Sequence, residues 1–214
     1  MYKQNLKRMI DIILSMLGLI ILSPLFLAII IAIKLDSKGP VFFKQKRLGI
    51  DNSHFVIYKF RTMRVDTPSE KPTHLLDNPG YYITKVGEIL RKTSLDELPQ
   101  IINILKGDMS VIGPRPALWN QYDLIEEREK YGANCIRPGL TGWAQINGRD
   151  ELEIAEKAKL DGEYVNQLSF LMDVKCFFGT LLSVFKSEGV VEGGTGVIRQ
   201  KREKHNKGIT GRKE

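Results

Sequence analysis

"MIDIILSMLGLIILSPLFLAIIIAIK", Met9 to Lys34, is the longest apolar run in this chain of 214 residues, and how it meets a bilayer decides the architecture. The run is too long for the apolar core of a signal peptide and lacks a small-residue cleavage pattern, so it stays in the mature protein. Ile12 to Ile33 are 22 residues, about 33 Å as a straight helix against a hydrocarbon core of ~30 Å. A simple span fits on length. Ser23-Pro24 at the middle predicts a bend, because proline removes one backbone hydrogen bond and presses on the preceding turn. The first arm, Ile12 to Leu22, then reaches roughly 16 Å, the bilayer midplane. Both flanks are basic: Lys3, Lys7 and Arg8 precede the run, and Lys34, Lys38, Lys44, Lys46 and Arg47 follow it. A span would carry one of these groups across the membrane against the positive-inside tendency, whereas a re-entrant helix-break-helix keeps both on the cytoplasmic side. A kinked transmembrane helix is the competing reading, since proline is tolerated there. Under both, the remaining chain works next to a membrane, which points to a lipidic substrate or partner.

Beyond this run the chain can bury one core of ordinary size. The net charge is +7, of which Arg199 to Glu214 contribute +5, from seven Lys or Arg and two Glu. A basic tail without apolar periodicity reads as solvated, with anionic lipid as its alternative partner. Nucleic-acid binding is not expected, because the basic excess is confined to that tail. Cys135 and Cys176 stand alone, without a CxxC or a Cys/His cluster, so a zinc site or a disulfide framework is not indicated. There is no GxGxxG and no GxxxxGK, which argues against a dinucleotide fold and a P-loop.

"PVFFKQKRLG" and "HFVIYKFRTM" are β-rich runs on either side of "IDNS" and predict a hairpin with Lys59 and Arg61 near its end. Val65 to Gly80, with three prolines, reads as a surface loop. "ITKVGEILRKT" and "LPQIINILKGD" predict short helices, the second ending at Gly107. "PRPALWNQYDLIEEREKYG" predicts a helix with Pro116 near its first position and Gly132 at its end. "CIRPGLTGWAQINGRD" reads as a loop, followed by helices over Glu151 to Asn166 and Phe170 to Lys186. The latter is strongly apolar, suited to the membrane interface or the core. The fold class expected is α+β, mainly α. Residues 1–38 form the membrane helix and its flanks, 39–188 a compact, mostly helical cytoplasmic domain lying on the membrane interface, and 189–214 a basic tail.

Within "KTSLDELPQ", Lys92 to Gln100, Asp96 and Glu97 are adjacent. One reading is structural: Ser94 as N-cap with Glu97 three residues on is a capping box, and Asp96 suits the helix dipole. Pro99 weakens it, because a fifth helical position needs its N–H, so the helix is expected to start late or distorted. The other reading is chemical. Aspartate is a phosphoryl acceptor, giving an acyl phosphate that divides a difficult transfer into two displacements. Cations surround the pair in sequence: Lys85, Arg91 and Lys92 before, Lys106, Arg115, Arg137 and Arg149 after. In "GPRPA" the prolines restrict the backbone about Arg115, which suits bidentate phosphate contact.

"KRMIDIILSMLGLIILSPLFL", "YKFRTM", "SLDELPQIINILKGDMSVIGPRP" and "RPGLTGWAQINGR" together resemble the bacterial sugar transferases known as small monotopic phosphoglycosyl transferases, over about Lys7 to Lys186. The resemblance implies a monotopic enzyme on the cytoplasmic face of the bacterial inner membrane. It would move a sugar 1-phosphate from a UDP-sugar to undecaprenyl phosphate and release UMP, the first membrane step of glycoconjugate assembly. It implies a re-entrant helix broken at Ser23-Pro24. Asp96 would be the nucleophile, carrying a covalent phosphosugar, and Glu97 its partner as proton acceptor or organiser. Mg2+ bound at Asp96 would bridge carboxylate and diphosphate. Arg91, Arg115 and Arg137 become phosphate-site arginines, and Asp161 a further polar member whose bland alternative is a solvated helix residue. Family habit favours a UDP-N-acetylamino sugar over UDP-galactose or UDP-glucose. Downstream glycosyltransferases and a second copy of the chain are carried as protein partners. Two alternatives remain on the residues alone: an aspartyl-phosphate hydrolase, and a non-enzymatic membrane scaffold for polysaccharide assembly.

Overall fold

The computed structural model describes residues 2–67, 79–148 and 152–186. The apolar run forms one helix, α1, Lys7–Asp36, with Pro24 inside it. The expected division into two arms does not appear as a gap in the helix, and the Ser-Pro pair supplies the reason. Proline's missing N–H would orphan the carbonyl four residues back, that of Ile20. The Ser23 hydroxyl donates to this same carbonyl at 2.8 Å. Around the break the helix faces outward, with Ile20 and Ile21 about 70% exposed.

Both ends of α1 are fastened to the rest of the chain. Near its start Asp11 accepts from the Ser110 hydroxyl at 2.8 Å and the Val111 N–H at 3.0 Å. Lys7 pairs with Asp173 at 2.6 Å, and the hydroxyls of Tyr2 and Tyr164 donate to the same carboxylate. Near its finish Ile29 and Ile33 pack with Phe60 and Leu90. Beyond them Asp36 accepts from the Val86 N–H at 3.1 Å.

The hairpin is as the sequence predicts. β1, Phe42–Leu48, pairs antiparallel with β2, His54–Phe60, from Phe42 opposite Phe60 to Leu48 opposite His54. Asp51 and Asn52 turn it in left-handed backbone, a conformation that Asn and Asp tolerate better than most residues. Phe55 and Ile57 of β2 face a core with Ile104 and Met109. Two short helices follow, α2, Pro79–Tyr82, and α3, Lys85–Lys92, the latter capped by the Thr84 side chain. Most of the expected loop, residues 68–78, lies outside the described residues.

The helix after the acid pair, α4, is Gln100–Lys106, closed by Gly107 in left-handed backbone. Arg8 of α1 donates to the carbonyls of Ile104 and Leu105 at its C-terminal end, the favourable end of the dipole for a cation. Asn103 is fully buried and ties α4 to the hairpin, accepting from the Tyr58 N–H at 2.9 Å and donating to the Val56 carbonyl at 2.7 Å.

Two expectations fail beyond this point. The helix read from Pro116 begins later, as α5, Tyr122–Glu129, because the backbone at Pro116 to Leu118 continues the sheet. Leu48 N–H donates to the Ala117 carbonyl at 3.0 Å, and Arg47 pairs with Leu118 as an antiparallel bridge. The segment read as a loop contains a strand. β3, Ser110–Ile112, and β4, Gly139–Thr141, form a parallel pair. A Cβ on Gly139 or Gly142 would collide with the Gly113 backbone, so glycine permits this approach. After α6, Trp143–Ile146, come α7, Ile154–Asn166, and α8, Phe170–Lys186, near their expected places. α8 turns Met172, Asp173 and Cys176 inward and leaves Leu171, Phe178 and Leu182 exposed. The tail from residue 189 is outside the described residues.

Candidate active site

The acid pair sits in a 3₁₀ turn, Leu95–Glu97, between α3 and α4. Ser94 is in left-handed backbone, φ 56°, and its side chain makes no capping hydrogen bond, so the capping box is excluded. The regular helix starts only at Gln100, after Pro99. A non-glycine residue held at positive φ costs of order 1–3 kcal/mol and persists where its surroundings over-determine it. Here it redirects the chain so that both carboxylates turn into the interior rather than capping α4.

Glu97 is held on both oxygens. Lys59 of β2 donates to Oε1 at 2.7 Å, and Arg115 forms a two-pronged pair, Nη1 to Oε2 at 3.0 Å and Nη2 to Oε1. Burial pushes this carboxyl up, but Arg115 and Lys59 outweigh it and hold Glu97 well below the usual carboxylate range. Asp96 differs. It is buried, with Lys59 Nζ 4.0 Å from Oδ2. Desolvation raises its carboxyl above the ordinary value; Lys59, Arg91 and Arg115 oppose that shift, and Glu97 adds to it. Two neighbouring acids are thus driven apart in proton affinity, as occurs where one environment needs two carboxylates in different roles.

Arg91, on α3, donates through Nε to the Thr62 hydroxyl at 3.1 Å and through Nη2 to Met63 Sδ at 3.7 Å. Arg115 sits on a loop pinned from behind by β4: Gly113 N–H donates to the Thr141 carbonyl and Gly139 N–H to the Pro114 carbonyl, both at 2.8 Å. Arg47 supports it from β1, donating to the Pro116 carbonyl at 3.0 Å. Burial first, then the neighbouring Arg115, lowers the Arg47 guanidinium to about 10.

The structure therefore gathers Asp96, Glu97, Arg91 and Arg115. It places Arg137 elsewhere: its Nε donates to the Gly107 carbonyl, at the far end of α4 from the acid pair. Asp161 is not the solvated helix residue of its bland reading. It is 1% exposed and bonded by Arg128 Nε at 2.8 Å and Nη2 at 2.6 Å. Arg128 lines a small cavity together with Pro114 and Pro116, the two prolines that flank Arg115. Lys59, like Arg61, is marked by the sequence only as lying near the hairpin's end; its place at the acid pair was not foreseen, because a lysine in an alternating strand carries no signal of a distant partner. Arg149 lies outside the described residues.

Among the described residues no group of three or more His, Cys, Asp or Glu is placed to hold a metal. Mg2+ does not require one, because it takes one or two carboxylates and completes its octahedron with water and substrate phosphate. With both oxygens of Glu97 engaged by cations, Asp96 is the carboxylate that fits such an ion.

A buried carboxylate stands beside an ionised partner with cations around the pair, on a chain whose α1 is long and apolar enough to cross a membrane. The chain belongs to the bacterial sugar transferase family, whose model matches residues 2–187. It is 42% identical over 185 residues to the uncharacterized sugar transferase EpsL of Bacillus subtilis (strain 168), covering 86% of this chain and 90% of the relative. It is 46% identical over 189 residues to the UDP-glucose:undecaprenyl-phosphate glucose-1-phosphate transferase of Escherichia coli (strain K12), covering 85% of this chain and 40% of the relative. With the UDP-N-acetylgalactosamine-undecaprenyl-phosphate N-acetylgalactosaminephosphotransferase of Aeromonas hydrophila it shares 36% identity over 189 residues, 86% of this chain and 44% of the relative. The chain spans less than half the length of these last two proteins.

Proposed function

We propose that this chain transfers a sugar 1-phosphate from a UDP-sugar to undecaprenyl phosphate at the cytoplasmic face of the bacterial cell membrane, releasing UMP. The observation that carries the reading is the buried Asp96 carboxylate beside a Glu97 locked in its charged form, with Lys59, Arg91 and Arg115 around them. A carboxylate oxygen of Asp96 attacks the β-phosphorus; the phosphoanhydride bond breaks and UMP leaves with its electron pair. An oxygen of undecaprenyl phosphate then attacks the same phosphorus, expelling the carboxylate and forming the lipid diphosphosugar. Arg91 and Arg115 offset the charge developing on the phosphoryl oxygens. Glu97 acts as organiser rather than proton acceptor, because Lys59 and Arg115 already occupy both its oxygens. Mg2+ held by Asp96 and the diphosphate would supply further charge neutralisation.

A re-entrant path for α1 is part of the proposal. Arg8 and Asp11 at one end and Ile33 and Asp36 at the other are all bound by the same domain. A straight crossing would put about 40 Å between Arg8 and Asp36, with lipid between them and only one end within that domain's reach. The exposed apolar face of α8 suits the interface of the same leaflet. As donor, an N-acetylamino sugar and glucose both have support, since relatives are named for each.

The test is intact mass of the purified protein after incubation with magnesium and a panel of UDP-sugars, without lipid acceptor. A sugar-phosphate adduct is expected on the wild type and not on a folded Asp96→Asn variant, whose amide is a very poor nucleophile. Near-normal UMP release by that variant would overturn the assignment.

A further inference from the structure

We propose that Arg61 is a positioning residue that locks the exit of α1 to the strip of backbone holding Arg91, so that the seating of the membrane helix sets the placement of a phosphate-site arginine. The inference rests on the transferase reading above for what Arg91 does, and on geometry for the linkage.

Arg61 follows β2 directly and is 6% exposed. Its guanidinium points away from the acid pair, to the end of α1: Nη1 donates to the Lys38 carbonyl, and Nη2 to the Ser37 carbonyl at 2.8 Å and the Ser37 hydroxyl at 3.0 Å. These are carbonyls just past a helix C-terminus, which need donors and favour a cation. Gly39 makes room for the contact. It lies at φ 125°, and a Cβ there would collide with the Arg61 guanidinium. The next residue, Thr62, receives Arg91 on its hydroxyl and the Thr84 N–H on its carbonyl at 3.1 Å. Gly87 of α3 packs so closely on that carbonyl that a Cβ could not be accommodated. Met63 gives its sulfur to Arg91 and bridges Ile83. From helix exit to Arg91 the path is Ser37 and Lys38, Arg61, Thr62 and Met63, Arg91, with each link a bond or a backbone neighbour.

A double-mutant cycle tests it in the full chain in nanodiscs, using UMP release from the best UDP-sugar donor with undecaprenyl phosphate present. Arg61→Lys keeps the charge but cannot reproduce the fork, so kcat/KM should fall about tenfold, as small misplacements of a positioned group do. In an Arg91→Ala background the same change should cost less than about twofold, because the group it positions is gone. In parallel, amide hydrogen exchange at Thr84 and across α3 should quicken in Arg61→Lys. Losses that multiply in the cycle, or a rate within about twofold of wild type for Arg61→Lys alone, overturn the proposal. If Arg61→Lys does not fold, Ser37→Ala, which removes one acceptor, and Gly39→Ala, which displaces the guanidinium, enter the same cycle with the same expectations. A wild type that releases UMP from no donor overturns the transferase reading instead, and the exchange measurement then decides the linkage.

Discussion

Glu97→Gln removes one charge from a cluster in which that charge has two partners, so its cost can be worked from the contacts. The Lys59 arm is a charge-assisted bond at 2.7 Å between side chains 17% and 16% exposed. Taking the nearer carboxylate from a largely buried ammonium, with Asp96 left 4.0 Å away, costs about 2–3 kcal/mol. Arg115 is 39% exposed, so water screens its loss, and about 1 kcal/mol is a fair share for that arm. The glutamine oxygen retains one acceptor, but its NH2 now faces a cation. A total near 3–4 kcal/mol corresponds to a fall in Tm of roughly 6–16 °C for a domain of this size. UMP release should fall further than stability does, by about a hundredfold or more, because Lys59 and Arg115 lose the carboxylate that fixes them relative to Asp96. Glu97→Asp, which keeps the charge on a shorter stem, should lie between. The measurement is thermal unfolding and UMP release for the three proteins in one detergent. A Tm for Glu97→Gln within about 2 °C of wild type, with release intact, would refute the view that this carboxylate organises the site.

Asn103→Ala should lower stability by about 2–4 kcal/mol, since it strips partners from two backbone groups of the hairpin; a Tm unchanged in the same assay would contradict that. A maleimide at about pH 7.5 should label the folded chain once, on exposed Cys135, and twice after unfolding. Burial, then Asp173, pushes the Cys176 thiol up to about 12, leaving almost no thiolate there. Mass spectrometry showing two labels on the folded protein would refute the buried placement.

Local patterns were legible where local physics decided the structure. The hairpin followed from alternation around a turn, and α3, α7 and α8 from apolar spacing. The acid pair and Arg115 stood out as candidates because two carboxylates and a proline-framed arginine are unusual combinations, and the structure brings Arg115 onto Glu97. What failed was non-local. Ser94 reads as a cap, yet tertiary packing holds it in left-handed backbone. Pro116 reads as a helix start, yet Arg47 and Leu48 claim its segment for the sheet. The β3 and β4 strands are three residues each, too short to show a period, and glycines that look like loop residues are what lets them meet. Lys59 and Arg128 carried no local mark of their pairing, because their partners stand 38 and 33 residues away.

The fastening of α1 by its start has a consequence for synthesis. Asp11 meets its partner Ser110 across 99 residues and Lys7 meets Asp173 across 166. At 5–20 residues per second the ribosome needs roughly 8–33 s to make the stretch between Lys7 and Asp173. During that interval the Lys7 anchor is missing, whereas Phe60, Leu90 and Ser110, which meet the run elsewhere, are made earlier. On the proposed re-entrant path, the flanking lysines and arginines and the Ser-Pro break act on the run first, and these earlier contacts next. The pairing of Lys7 with Asp173 comes last, as a latch on an arrangement begun before residue 173 was made.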